Sequence, residues 1–438
     1  MWDWPIYALM FFGGLVVLLL GGLPVAFAFL LLNVVAIYFF WGGTAGIHQL
    51  VLSIDSSIAT FILVPVPMFI LMGTMMFHSG VAGRLIDVLD AWLGRLRGRL
   101  SILAVGAGAM LATVTGVAMG SVAMLGSTLV PEMEKRGYSK SMSLGPVLAS
   151  GSLAIMIPPS ALAVILASLG RISVGGMLVG ILLPGLLLAL SYGIYIFVRC
   201  LMQPSLAPAY APEPVPMGRR ITDTLLYVVP MMSVIVVVIG SIFAGMATPT
   251  EAAAIGALMT FVLAAVYGKL TWSVTKKAVG SATLISAMVL IILSGSAAFS
   301  QLLAFSGVTS GITRLALGLD VHPVILLILM QAVVFVLGMF LEQTSIVMVT
   351  VPIFMPIVAA MGWEPVWFGA IMLLNLELAT LSPPFGLSLF VMKGIVSRDT
   401  TMMDIYLAVL PFVAINLVVM GIIIAFPAIV LWLPSIML

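Results

Sequence analysis

Hard oxygen donors gather at two places in an otherwise apolar chain, each beside a Pro-Pro pair. The first set is Thr115, Gly116 and Ser121, followed by Ser150, Gly151, Ser152 and Ser160 around Pro158 and Pro159. The second is Glu342, Gln343, Thr344 and Ser345, followed by Asn375, Thr380 and Ser382 around Pro383 and Pro384. Two adjacent prolines remove two amide donors and free carbonyls one turn earlier. Such open backbone is tolerated at membrane depth only where protein buries it or it lines a cavity. Freed carbonyls with nearby hydroxyls suit Na⁺ as a coupling ion. The competing reading is that the prolines only kink helices for packing. Glu342 and Glu377 also fall within apolar sequence, where ionisable residues are functional candidates. Neither has a basic neighbour in sequence, so a cation is the natural partner for Glu342, while Glu377 also suits a neutral acid bracing a broken helix. Other chemistries lack their residues. Cys200 is the lone cysteine, and His48, His78 and His322 are scattered. No nucleophile–base pair, metal-ligand spacing or Gly-rich phosphate loop is visible, which argues against an enzyme, an organic cofactor or a nucleic-acid partner.

The elements that must hold these residues come in duplicate. Pro158 and Pro383 are 225 residues apart, and Pro131 with Pro356 and Gly137 with Gly362 keep that spacing without a gap. Paired interrupted segments in two halves are the best sequence pointer to a transporter's binding site. The chain is 63% hydrophobic and 7% charged, with a mean hydropathy of +1.31. A soluble surface needs far more charge, so the lipid bilayer is the solvent.

Lys and Arg mark cytoplasmic loops. They cluster at Arg84/Arg95/Arg97/Arg99, Lys135/Arg136/Lys140, Arg199/Arg219/Arg220, Lys269/Lys276/Lys277 and Lys393/Arg398, leaving only Arg171 and Arg314. The apolar stretch from Leu100 to Glu134 is basic on both flanks. As one helix it would run about 50 Å, against a hydrocarbon core of roughly 30 Å. A re-entrant hairpin satisfies both length and charge, with its tip near Thr115–Ser121. At the repeat spacing a second hairpin falls at 323–363, with its tip at Glu342–Ser345 and no basic flank, so it faces outward.

The sequence therefore predicts an all-α polytopic membrane protein of two inverted repeats, 1–202 and 222–438, joined by a cytoplasmic linker at 203–221. About ten crossings are expected, at 5–21, 24–41, 60–78, 141–168, 174–198, 222–243, 250–268, 280–302, 365–394 and 405–432, of which 5–78 and 222–302 form a scaffold. Hairpins at 100–134 and 323–363 precede broken helices at 141–168 and 365–394, and arm helices lie at 80–97 and 310–319. Both termini then face the periplasm.

Several motifs occur in order: Pro67-Met68-Phe69-Ile70-Leu71-Met72-Gly73, Val130-Pro131-Glu132-Met133 with Arg136-Gly137-Tyr138, Ile157-Pro158-Pro159-Ser160, Ala247-Thr248-Pro249-Thr250-Glu251-Ala252-Ala253-Ala254 and Ser382-Pro383-Pro384-Phe385-Gly386. Together they resemble the large membrane subunit of tripartite ATP-independent periplasmic (TRAP) transporters. The resemblance, from about Pro65 to Pro427, implies an elevator-type permease of the ion-transporter fold in a bacterial inner membrane, driven by Na⁺. It implies two partners: a small four-helix membrane subunit and a soluble periplasmic substrate-binding protein. It implies an organic-acid substrate such as a C4-dicarboxylate, a 2-oxo acid or a sugar acid. Where the family commonly has Ser-Gly-Ser-Ser at the first tip, this chain has Thr115-Gly116-Val117-Ala118, leaving Thr115 and backbone carbonyls as donors. Glu342 stands where members often carry Asp. Alternatives are a stand-alone carrier of the same fold, a proton-translocating respiratory subunit, which would need mid-membrane Lys or His, and the membrane part of an ATP-driven importer.

Overall fold

Proline and glycine decide where the helices stop. The computed structural model describes residues 3–94, 96–115, 118–208, 215–319 and 321–437, with the side chains of 20, 81–83, 112–115, 118 and 119 outside the description. The first repeat opens with α1 (Trp4–Leu20), α2 (Val25–Phe40), α3 (Thr44–Ile58) and α4 (Pro65–Ser79). Arm helix α5 (Val81–Leu93) leads to the hairpin α6 (Arg99–Thr115) and α7 (Ala118–Lys135). The broken helix α8 (Lys140–Met156) and α9 (Ala161–Gly170) follows, then α10 (Val174–Gly180) and α11 (Leu182–Met202). The second repeat contains α12 (Met217–Asp223), a π-helical turn at Thr224–Val228, α13 (Val229–Phe243), α14 (Pro249–Val266) and α15 (Trp272–Phe305). Its arm α16 (Val308–Gly318) leads to the hairpin α17 (Pro323–Gly338) and α18 (Gln343–Ala360). The second broken helix is α19 (Pro365–Leu381) and α20 (Leu387–Ile395), with α21 (Met402–Ala425) and α22 (Ala428–Ser435) last.

The 225-residue spacing extends well beyond the proline pairs. Helices α1, α7 and α8 start at Trp4, Ala118 and Lys140, and α13, α18 and α19 start at Val229, Gln343 and Pro365. Both arms begin from a left-handed glycine, Gly80 at φ 68° and Gly307 at φ 75°, a conformation that other residues adopt only with strain. The repeats differ where prolines differ. Pro65 and Pro67 stand where the second repeat has Leu290 and Ile292. The first repeat accordingly breaks between α3 and α4, whereas α15 runs unbroken for 34 residues, about 51 Å at 1.5 Å per residue.

Among the described residues seven helices are long and apolar enough to cross a membrane, or eight with the bent α8–α9 pair. Helices α1 and α2 have 17 and 16 residues, about 25 Å, short of a core of roughly 30 Å. Two expected elements change. Helix α3 has no counterpart among the predicted elements; its His48, Gln49, Asp55 and serines disqualify it as a crossing, but Gly46, Leu50 and Ser53 form a buried stripe. The last predicted helix, 405–432, is broken after Ala425, where Pro427 stops α21 and α22 starts anew.

Packing places the breaks at the centre. Hairpin α6–α7 lies on α8, hairpin α17–α18 on α19, and α8 touches α19. The repeats then exchange partners: α18 packs on α9, and α20 on α7. Each broken helix is thus held by both hairpins. Around this body α4 packs on α14 and α15, and α2 packs on α15, where Asn33 donates to the Gly295 carbonyl at 2.6 Å.

Candidate functional site

Each hairpin reaches its broken helix through a glycine. A Cβ on Gly108 of α6 would sit 2.2 Å from the Ser150 Cβ, and one on Gly338 of α17 would sit 2.3 Å from the Ala379 Cβ. No side chain fits either gap, so backbone meets side chain directly. Both Pro-Pro peptide bonds are cis, and α9 departs from the axis of α8 by 44°.

Beyond the breaks new helices start, and their first turns converge on a cavity of about 260 Å³. Ala161 and Leu162 come from α9, Glu342, Gln343 and Thr344 from the tip of the second hairpin, and Leu387 and Ser388 from α20. The opposite wall is apolar and belongs to α4 and α15: Ile70, Ile285, Met288 and Val289. No lysine or arginine is among the lining residues. Helix N-termini carry partial positive charge and favour anions. Two of the three are already satisfied. Ser160 accepts from the Ala163 amide at 3.3 Å, and Glu342 accepts from the Thr344 amide at 3.0 Å and the Thr344 hydroxyl at 2.9 Å. Gly386 precedes α20 and gives it no side-chain cap, and Leu387 and Ser388 of its first turn line the cavity.

The second predicted set divides. Glu342, Gln343, Thr344 and Thr380 share the cavity, whereas Ser345, Asn375 and Ser382 are buried away from it. Ser382 donates to the Leu378 carbonyl at 2.7 Å, and Asn375 donates to the backbone and side-chain oxygens of Gln331 at 2.6 and 2.9 Å. The Glu342 carboxylate has a partner that the sequence reading did not supply, the N-terminus of α18. Glu377 is 1% exposed and faces Gln343 and Thr380, and one of its carboxylate oxygens has no hydrogen-bond partner among the described residues. A buried carboxylate without compensation is costly, which marks this as the most demanding polar position behind the tip.

The first set lies elsewhere. The Thr115 side chain and Gly116 fall outside the described residues. Ser121, Ser150, Gly151, Ser152 and Ser160 are buried. Ser150 returns its hydroxyl to the Val147 carbonyl at 2.6 Å and abuts Gly108. Ser152 turns toward α11, where its hydroxyl lies 3.0 Å from that of Tyr192, which also accepts from Asn416 of α21. Pro158, Pro159, Pro383 and Pro384 sit in the two breaks. Sequence reasoning missed Ser388, Gln331, Tyr192 and Asn416. Gln331 was marked only as the single polar residue of α17, while Tyr192 and Asn416 share α11 and α21 with other polar residues.

The DctM family model, the DctM component of tripartite ATP-independent periplasmic transporters, matches residues 12–429. The chain belongs to the DctM family. This permease is 32% identical to the C4-dicarboxylate TRAP transporter large permease protein DctM of Rhodobacter capsulatus, over 98% of this chain and 99% of that one. It is 29% identical to the ectoine TRAP transporter large permease protein TeaC of Halomonas elongata, over 95% and 96%. The YdaH transporter of Alcanivorax borkumensis shares the fold at a TM-score of 0.63 with 17% identity, covering 89% of this chain and 90% of that one. The permease is a multi-pass α-helical membrane protein and a transporter subunit, not an enzyme.

Proposed function

We propose that this permease imports an organic acid by Na⁺ symport, taking it from a soluble periplasmic binding protein and working with a small four-helix membrane subunit in the inner membrane. The observation that carries the reading is the cavity between the hairpin–break body and the α4–α15 wall, met by the uncapped first turn of α20. A substrate carboxylate fits against the Leu387 and Ser388 end, where amide dipoles compensate its charge without a basic side chain. A cation fits beside Glu342 and Thr380, whose oxygens supply a hard donor set. The largely apolar wall favours an elevator, in which the body slides along α4 and α15, and the Ser296 hydroxyl of α15, which donates to the Met348 carbonyl of α18 at 2.7 Å, is a polar contact such a movement breaks. Two relatives of similar identity are named for different cargo, a C4-dicarboxylate and ectoine. Substrate choice in such a system rests largely with the binding protein.

Proteoliposomes containing the permease, its small subunit and the loaded binding protein test this. Uptake is expected with an inward Na⁺ gradient and without ATP. Uptake driven by ATP with no ion gradient overturns the coupling. Uptake of free substrate by the permease alone, unaffected by the binding protein, favours a stand-alone carrier of the same fold.

A further inference from the structure

We propose that a cleft between the arm helix α5 and α12, which shares no lining residue with the cavity described above, binds the phosphate of an anionic phospholipid. The cleft, about 390 Å³, is lined by Arg84, Asp87, Arg219, Arg220, Asp223 and Tyr227, among others. Among the described residues three guanidinium groups line the cleft with two carboxylates, a net charge of +1 that matches one phosphodiester. The carboxylates do not consume the arginines. Asp223 reaches Arg219 only at 3.7 Å, with Arg219 76% exposed, a weak contact. Arg84 sits 5.9 Å above the Tyr227 ring, which holds it at the cleft. The Arg220 Nε is buried with no hydrogen-bond partner among the described residues. A guanidinium presents donors in a planar fork that fits phosphate oxygens.

The surroundings point to a lipid rather than a soluble anion. Met217, Ile221, Leu225 and Leu226 are exposed along α12 and the π-helical turn beside the cleft, giving acyl chains an apolar path. Trp92 of α5 is 46% exposed and donates to the Thr224 hydroxyl at 2.7 Å, the placement of an interfacial anchor. Basic pockets beside transmembrane helices at the membrane surface take lipid headgroups. A lipid bound here would brace the arm against α12, because α5 joins α4 to the first hairpin.

The detergent-purified permease is to be incubated with phosphatidylglycerol, phosphatidylcholine or inorganic phosphate, reading bound lipid by native mass spectrometry and the thermal midpoint. Phosphatidylglycerol is expected to be retained over phosphatidylcholine and to raise the midpoint, with inorganic phosphate doing neither. Replacing Arg84, Arg219 and Arg220 together by Gln is expected to cut retention at least about fivefold, while replacing Lys269, Lys276 and Lys277 leaves it unchanged. If the triple variant does not fold, Arg220→Gln alone carries the same reading. Equal retention by the arginine variant, or stabilisation by inorganic phosphate that matches the lipid's, overturns the proposal.

Discussion

Glu342 and Ser152 belong to the two separate donor sets that the sequence suggests, and their surroundings give them different roles. Glu342 caps α18 and also borders the cavity. Glu342→Ser keeps an N-cap oxygen but removes the charge, so it divides a capping role from a cation role. Coulomb attraction at an effective dielectric near 20 is about 4 kcal/mol at contact, and water access reduces it. The Na⁺ concentration for half-maximal uptake is expected to rise roughly tenfold, about 1.4 kcal/mol, with membrane expression intact. An unchanged Na⁺ dependence would show that the carboxylate is a cap alone. Ser152 instead faces Tyr192, whose hydroxyl also accepts from Asn416. Ser152→Ala is expected to lower thermal stability by about 1 kcal/mol while the Na⁺ dependence of uptake stays put. A clear shift in that dependence would return Ser152 to the cation site.

Among the elements, the contact between α6 and α8 is set by one missing side chain. A Cβ at Gly108 would fall 2.2 Å from the Ser150 Cβ, with Leu125 next at 3.3 Å. Overpacking a filled interface costs roughly 1–3 kcal/mol, and Gly108→Ala is expected to lower the thermal midpoint and uptake together. The swap Gly108→Ala with Ser150→Gly moves the bulk across the interface and is expected to recover most of the midpoint. Failure of the swap to recover stability would mean that the Ser150 hydroxyl, not its volume, holds the helices. The same logic explains why the proline pairs were legible before the packing was. A Pro-Pro pair breaks a helix in any context, whereas a glycine matters only through what stands opposite it.

At the scale of the whole molecule, the repeats predict opposite faces for the two hairpins. Arg99 itself is a poor reporter, being 3% exposed and paired with Asp90 at 2.5 Å. Exposed neighbours serve better. With Cys200 replaced by Ser, single cysteines at Arg97 and Lys135 are expected to label from the cytoplasm, and those at Val321 and Glu364 from the periplasm. Labelling of one hairpin's two flanks from opposite sides would turn that hairpin into a crossing and remove the inversion.

The sequence alone determined what local chemistry and repetition can carry. Apolar composition made the membrane the solvent, and the 225-residue spacing made two repeats, because a proline or a glycine turn acts on its own backbone wherever it stands. It placed the breaks at Pro158–Pro159 and Pro383–Pro384 and the polar tip at Glu342–Ser345. It overlooked α3, since an amphipathic helix that is too polar to cross leaves no hydropathy signal. Tertiary structure decided which donors meet. Only packing brings α9, α18 and α20 to one cavity, turns Ser152 toward Tyr192, and supplies Glu342 with a helix N-terminus. A side chain's partner depends on helix rotation and on the exchange of α18 and α20 between repeats, long-range geometry that residue spacing within either repeat does not encode.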